Sequence, residues 1–549
     1  MTRSLRTRLR ARLRRPRAAA AAAAVALAGL ASCQDLTVAN LNDPDRQRVQ
    51  QQPSSVEGLA STSFRAFWPW VHDDSPVWAM ATMADDFTAA FFDFGILVAS
   101  AEPRVAYDNS QTYADRFVNQ DPWYGLYATL STSNDVLAAL DRGLRIGTTD
   151  GETARTRAVA RFVQGLSTGY LALYFDAAWV VTEKVRPDTL TIPGTTQLKG
   201  DPLPYRQVMD SAQAMLADAA RLADAGPAFT LPEGAWLHQA MDNRALARLA
   251  RSYRARLLAQ VARTRAERDG VNWALVSALV DSGTAVDFAP VAVPGVFVDD
   301  FRRVAARSRT AIPGDFARVD NAVVGPADST GAFLAWVSTP LSQRRAFQLR
   351  TRDRRIQGAA VGSDGRYIGY TNSNRFQDSR GTYHQSRYWY RRLGTLESWQ
   401  TGPQPELLRA EMDLLKAEAL LRLNRAADAV PLVNRTRVAN GELPPVTVEG
   451  PPNAAGCVPR KLDGTCGSLW DALRYEKRIE ILGIHPPGGY LDARGWQALA
   501  PGTPVHLPIP GRELATVQRP LYSFGGGTGE GSAPAPAAER CPVALPRCP

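Results

Sequence analysis

From Ser54 onward, apolar positions recur at helical spacing through much of the chain. Ser54-Ser55-Val56-Glu57 reads as a helix start, with serine as cap and an acid in the first turn, leading into Leu59, Phe64, Phe67 and Trp68. Asp121-Pro122-Trp123 opens a second helix, carrying Tyr124, Tyr127, Leu130, Asn134, Leu137 and Leu140. A longer one runs from about Glu152 to Ala177, with Phe162, Leu166, Tyr170, Leu173 and Tyr174. Tyr205 to Asp224, Asn243 to Arg263 and Val271 to Ser282 follow with the same period. Another helical block starts near Pro405. Leu408, Met412, Leu415, Ala419 and Leu420 form one face, Asn424 breaks the run, and Ala426, Ala429, Val430 and Val433 form the next. Helix, short break, helix, with alanines where helices touch, is the pattern of tetratricopeptide pairs. Such a pair must stack on neighbours to cover its apolar face. Long insertions between the pairs exclude a regular solenoid.

The period fades over residues 286–400. Pro, Gly, Ser and Asn become frequent, and aromatics crowd in, including Trp336, Phe347, Tyr367, Tyr370, Tyr388, Trp389 and Tyr390. Residues 301–392 hold 17 Arg, 6 Asp and no Lys or Glu, a net charge of +11. The N-terminus differs again. Eight arginines and no acid precede an apolar stretch, Ala18 to Ala31, which has the length of a signal-peptide core and is too short to span a bilayer. Leu30-Ala31-Ser32-Cys33 then resembles the bacterial lipoprotein pattern, in which a peptidase cuts before the cysteine and its thiol takes a diacylglycerol. Cys33 is therefore the expected lipidation site. An ordinary secretory signal that happens to precede a cysteine is the plainer alternative.

Charge changes meaning once that leader is removed. The whole chain carries +10, but loss of the eight arginines leaves 56 basic and 54 acidic residues. A net charge of +2 gives no global case for nucleic-acid binding. The Arg-rich segment accounts for +11, so the rest carries −9. Beyond Cys33, four cysteines fall in two close pairs, Cys457 with Cys466 and Cys541 with Cys548. Neither has zinc spacing, and both read as local disulfides of an oxidising compartment.

Little points to catalysis, a metal or a cofactor. Gly165-Leu166-Ser167-Thr168-Gly169 matches G-x-S-x-G, but that motif needs a strand before it and here lies in a helical run. The five histidines form no close pair. Asp85-Asp86 with Asp93 could hold calcium, but reads more simply as a solvated helix end. Glu476, Arg478, Glu480, Asp492 and Arg494 read as salt bridges tying the last helices to the first. Aromatics offer more. Sugar rings stack their C–H faces on Trp and Tyr at about 1 kcal/mol per ring, by analogy with aromatic pairs. Trp78, Phe92, Trp336, Tyr388, Trp389 and Tyr390 are the candidate ligand-binding residues. Tyr388 and Tyr390 share one face of an extended strand and Trp389 the other, so at least one of the three belongs to the core. The nearby arginines either meet an anionic ligand or pair with the acidic scaffold or a partner.

Several segments, in order, resemble the SusD/RagB family of outer-membrane nutrient-binding lipoproteins. Asn42-Asp43-Pro44 before Ser54-Ser55-Val56-Glu57-Gly58-Leu59 is similar to its tether and first helix. Trp123-Tyr124-Gly125-Leu126-Tyr127 with Asn134, then Arg161-Phe162 through Tyr174-Phe175-Asp176, resemble its next helices. The C-terminal blocks match best: Leu415-Lys416-Ala417-Glu418-Ala419, Val433-Asn434-Arg435-Thr436-Arg437, Tyr475-Glu476-Lys477-Arg478, and Leu507-Pro508-Ile509-Pro510. Ile484 to Gly489 and the cysteine pairs depart from the family pattern. The resemblance implies a mainly α protein, with tetratricopeptide-like repeats packed against an irregular, loop-rich ligand-binding lobe with few short strands. It also implies a SusC-like TonB-dependent β-barrel partner, an oligosaccharide or peptide ligand, a lipid anchor at the cell surface and no enzymatic activity. The expected organisation is a leader over 1–32, a tether over 33–53, helical regions over 54–285 and 401–524 flanking the lobe of 286–400, and a loosely ordered tail over 525–549. A lipid-anchored scaffold of envelope assembly and an esterase built on Ser167 are the alternatives.

Overall fold

Helices stack one upon the next through the protein, each burying the apolar face that its neighbour exposes. The computed structural model describes residues 49–73, 75–89, 95–185, 200–305, 317–373, 378–392 and 401–534. Cys33, Phe92, Asp93, Cys541 and Cys548 lie outside them. The main helices are α1 (Pro53–Phe67), α2 (Phe117–Asp141), α3 (Asp150–Tyr174), α4 (Tyr205–Ala225), α5 (Asn243–Gln260), α6 (Trp273–Asp281), α7 (Arg409–Arg422), α8 (Ala426–Ala439), α9 (Leu469–Ile481) and α10 (Gly488–Gly495). From α1 to α7 each packs against its successor, and α7, α8 and α9 close a three-helix group.

α3 sits in the middle of the stack. Every residue from Phe162 to Tyr174 is buried, as expected of a helix with neighbours on all sides. Its start is fixed by a capping box. Glu152 N donates to Thr149 Oγ1, and Thr149 N donates to Glu152 Oε2 at 2.9 Å. Gly165 and Gly169 let α4 and α5 approach. A Cβ at Gly165 would stand 2.7 Å from Leu216, and one at Gly169 would stand 2.7 Å from Leu257.

Two helix starts differ from the sequence expectation. α1 begins at Pro53 after Gln52, and no side chain caps it. Proline at the first helical position needs no N–H partner and presets φ, so Ser54 is not the cap. α2 begins at Phe117, a turn before Asp121, and runs through Pro122. Tertiary contacts hold that extra turn: Val118 is buried, and Asn119 Nδ2 donates to Asn109 Oδ1 at 2.8 Å. The tail also differs over its first part. Gly526 N donates to Gly502 O and Val505 N to Gly531 O, both at 2.9 Å, so residues 525–534 are tied to the body.

The lobe has its own core. Strand β1 (Phe87–Ala89) pairs antiparallel with β2 (Ala317–Val319), and β3 (Ile368–Tyr370) with β4 (Tyr388–Tyr390). Phe87, Phe301, Val319, Leu349, Ile356, Ile368 and Leu482 pack together there, while a larger core fills the helical stack.

Buried charges join the two. In the stack, Arg256 bonds Glu406 at 2.5 Å and Glu411 at 2.6 Å. Glu406 also meets His72 at 2.6 Å, and His72 meets Asp299 at 2.8 Å. Burial opposes a charge on His72, but the two carboxylates outweigh it and raise its pKa. Burial likewise opposes the Glu406 anion, but Arg256 and His72 hold its pKa well below the usual carboxylate range. A second group joins Arg268 to Glu418 at 2.7 Å and to Asp492 at 3.0 Å, with Lys477 2.9 Å from Asp492. Arg494 donates to Leu173 O, Val505 O and Gln260 O. These contacts fasten α10 to α3 and α5.

Candidate functional site: an arginine-lined groove

Residues 349–353 alternate between buried and exposed side chains, and the chain then turns over 353–357, where Ile356 N and Gln357 N both donate to Asp353 O. Leu349, Thr351, Asp353 and Arg355 are buried, while Arg350 and Arg352 are exposed and Arg354 half-buried. The inward face is fixed by charge. Arg355 donates to Asp353 at 2.7 Å, to Glu476 at 2.5 Å and to Glu480 at 3.0 Å. Glu476 and Glu480 are one turn apart on α9, so both reach the same guanidinium. Tyr475 Oη donates to Asp353 at 2.6 Å, and Arg392 donates to Glu480 at 3.0 Å. All four members of the Arg355 cluster are fully buried.

The outward face lines a groove of about 480 Å³. Arg350, Arg352 and Arg354 form one side, and buried Thr351 and Gln357 the floor. Gln357 Nε2 donates to Thr351 O at 3.2 Å, which locks that floor. The remaining lining is small: Ser329, Ala359, Val361, Ala455 and Gly456. Ala455 and Gly456 precede Cys457, which closes a disulfide with Cys466 and so holds that wall. Arg354 is partly engaged, lying 3.9 Å from Glu442 and donating to Gly358 O. No carboxylate among the described residues pairs with Arg350 or Arg352. No carboxylate lines the groove either. Its volume falls within the range of small-ligand pockets.

The aromatic candidates do not converge on this groove. Trp78 is fully buried, its ring stacked on Phe301 at 4.2 Å, so it belongs to the lobe core and not to a ligand surface. Tyr388 and Tyr390 are buried on the inner face of β4, and Tyr388 Oη accepts from Leu349 N at 2.8 Å. Trp389 points the other way, half-buried, with its ring laid over Gly369 and 5.8 Å from Arg391. Trp336 is buried among Phe333, Phe347 and Arg344, the last 4.7 Å from its ring. Tyr370, half-buried, packs against Gly362, next in sequence to Val361 of the groove lining. Phe92 lies outside the described residues.

Other charged motifs also resolve into structure. Asp85 and Asp86 are buried, not a solvated helix end. Asp85 pairs with Arg104 at 2.7 Å and Asp86 with Arg478 at 2.8 Å. No cluster suited to a metal ion occurs among the described residues. Ser167 is buried in the middle of α3, with no strand before it and no strained turn. A nucleophile there has neither exposure nor the required elbow.

No known family profile matches the sequence, and no curated protein does either. Solved structures do match the backbone. A SusD superfamily protein from Bacteroides vulgatus aligns over 88% of this chain and 99% of its own, at 14% identity and a TM-score of 0.56. One from Bacteroides thetaiotaomicron aligns over 86% and 96%, at 13% identity and 0.53. A SusD-like carbohydrate binding protein from Bacteroides fragilis aligns over 87% and 94%, at 14% identity and 0.52. At such identity the likeness is one of fold, and the fold of this chain is that of the SusD superfamily.

Proposed function

We propose that this protein is a non-catalytic surface lipoprotein of the outer membrane that captures oligosaccharide and delivers it to a SusC-like TonB-dependent transporter. The observation that carries the reading is the SusD-type architecture over most of the chain, shared with a neighbour named as carbohydrate binding. One feature supports it: a lipobox-like stretch ends at Cys33. A diacylglycerol at Cys33 would add about 0.8 kcal/mol of membrane affinity per buried CH₂, enough with several chains for stable anchoring.

Expression with the native leader tests this. The mature protein is expected to carry lipid at Cys33, to be clipped by protease added to intact cells, and to copurify with a large β-barrel. Cys33→Ala is expected to release it from the membrane. A full-length protein that keeps its leader, or purification from the native membrane without any barrel, would overturn the reading.

A further inference from the structure

We propose that the groove formed by Arg350, Arg352 and Arg354 binds an acidic oligosaccharide, its oxyanions held by the Arg350 and Arg352 guanidinium groups. This rests on the saccharide reading above and adds the charge of the ligand and its location.

Three observations carry it. The first is the division of one Arg-rich run by facing. Arg355 points inward and is neutralised by Asp353, Glu476 and Glu480. Arg350 and Arg352 point outward with no carboxylate partner among the described residues. The second is concavity. The outward arginines line a space of about 480 Å³ that contains no acid. A guanidinium presents a planar fork of donors, which matches carboxylate or sulfate oxygens two at a time. Arg350 and Arg352 stand two residues apart on the same side of the groove, so each guanidinium can meet a separate charged group along an oligomer. The third is the rest of the lining. Ser329, Ala359, Val361, Ala455 and Gly456 offer methyl groups and one hydroxyl, with no deep apolar slot for a peptide side chain. A sugar ring has C–H faces for the methyls and hydroxyls for Ser329 and the floor.

The test is titration of the full-length protein with defined four-sugar probes. Oligogalacturonate, oligoalginate and a chondroitin sulfate fragment are the acidic set, maltotetraose and xylotetraose the neutral set, and tetraglutamate the peptide control. At least one acidic probe is expected to bind at least about tenfold more tightly than both neutral ones, since hydrogen bonds between charged groups are stronger than those to neutral hydroxyls. That affinity is expected to fall with added salt, and to fall about tenfold or more in Arg352→Gln and in Arg350→Gln. Ala455→Trp, which fills the groove without changing charge, should abolish it. Arg145→Gln, on an exposed arginine outside the groove, should leave it unchanged. The proposal is overturned by tighter binding of a neutral probe or of tetraglutamate, by binding of no acidic probe, or by equal loss in Arg145→Gln. Continued copurification of the barrel in those cases would leave the transporter reading standing, and its absence would remove both.

Discussion

Arg352 and Arg355 stand three residues apart, on either side of the turn that begins at Asp353, and do opposite work. Arg355 is sealed inside the lobe, where three carboxylates surround it. Arg352 faces an open groove and meets none of them. The same side chain is therefore a structural rivet in one place and an unspent charge in the other, and only the direction of the backbone distinguishes them. The comparison extends to the whole molecule. In the helical stack, Arg256 and Arg268 are likewise buried between carboxylates, and Arg494 is buried and donates to three backbone carbonyls. Arg350 and Arg352 face the groove with no carboxylate partner among the described residues.

The largest expected effect breaks the inward half. Arg355→Gln leaves Asp353, Glu476 and Glu480 buried without their cation, and breaking a buried pair this way costs about 3–5 kcal/mol. Chemical denaturation followed by tryptophan fluorescence should show an early loss of the lobe. Removing the disulfide comes next. Cys457→Ser with Cys466→Ser frees the groove wall and should cost about 2–3 kcal/mol, the chain-entropy value for so short a loop. Binding at the groove should weaken with it.

A pH-dependent effect comes third. Asp320 is buried, and burial, then the neighbouring Asp85, push its pKa to about 7 despite Arg478 and Arg104. Its ordinary value is 3.8, so between those limits the folded state holds a proton that the unfolded state has lost. Stability from this group is present below about pH 4 and is lost as pH rises through 7. Asp320→Asn should keep the cap on Ala322 N and remove that loss. Its melting temperature relative to the parent should therefore climb between pH 4 and pH 7 and then level off. A flat difference would contradict the assignment. The smallest effect falls on the outward half. Arg352→Gln should change stability by no more than about 0.5 kcal/mol, as for an exposed side chain without a partner.

The helical stack was legible in the sequence because its apolar faces repeat at helical spacing over five or more turns in its long helices. Phe162, Leu166, Tyr170 and Leu173 are all buried on α3. The exact starts of α1 and α2 were not, since a proline at the first position and the Asn119 contacts decide them. The lobe was harder. Aromatic abundance suggested a binding arc, yet Trp78, Tyr388 and Tyr390 serve the lobe core, because short strands and loops must cover each other with large side chains. The groove left a fainter trace. Leu349-Arg350-Thr351-Arg352-Asp353 alternates with period two. Reading that alternation would have separated inward from outward residues. What it could not supply is the rest of the lining, since Ala455 and Gly456 arrive from a hundred residues later.

A crystal structure of the complex with the tightest acidic tetrasaccharide would decide whether the groove is the binding site. We expect its carboxylate or sulfate oxygens on Arg350 and Arg352, with a ring against Ala455 and Ala359. A ligand seated elsewhere, with those two guanidinium groups still facing water, would contradict that expectation.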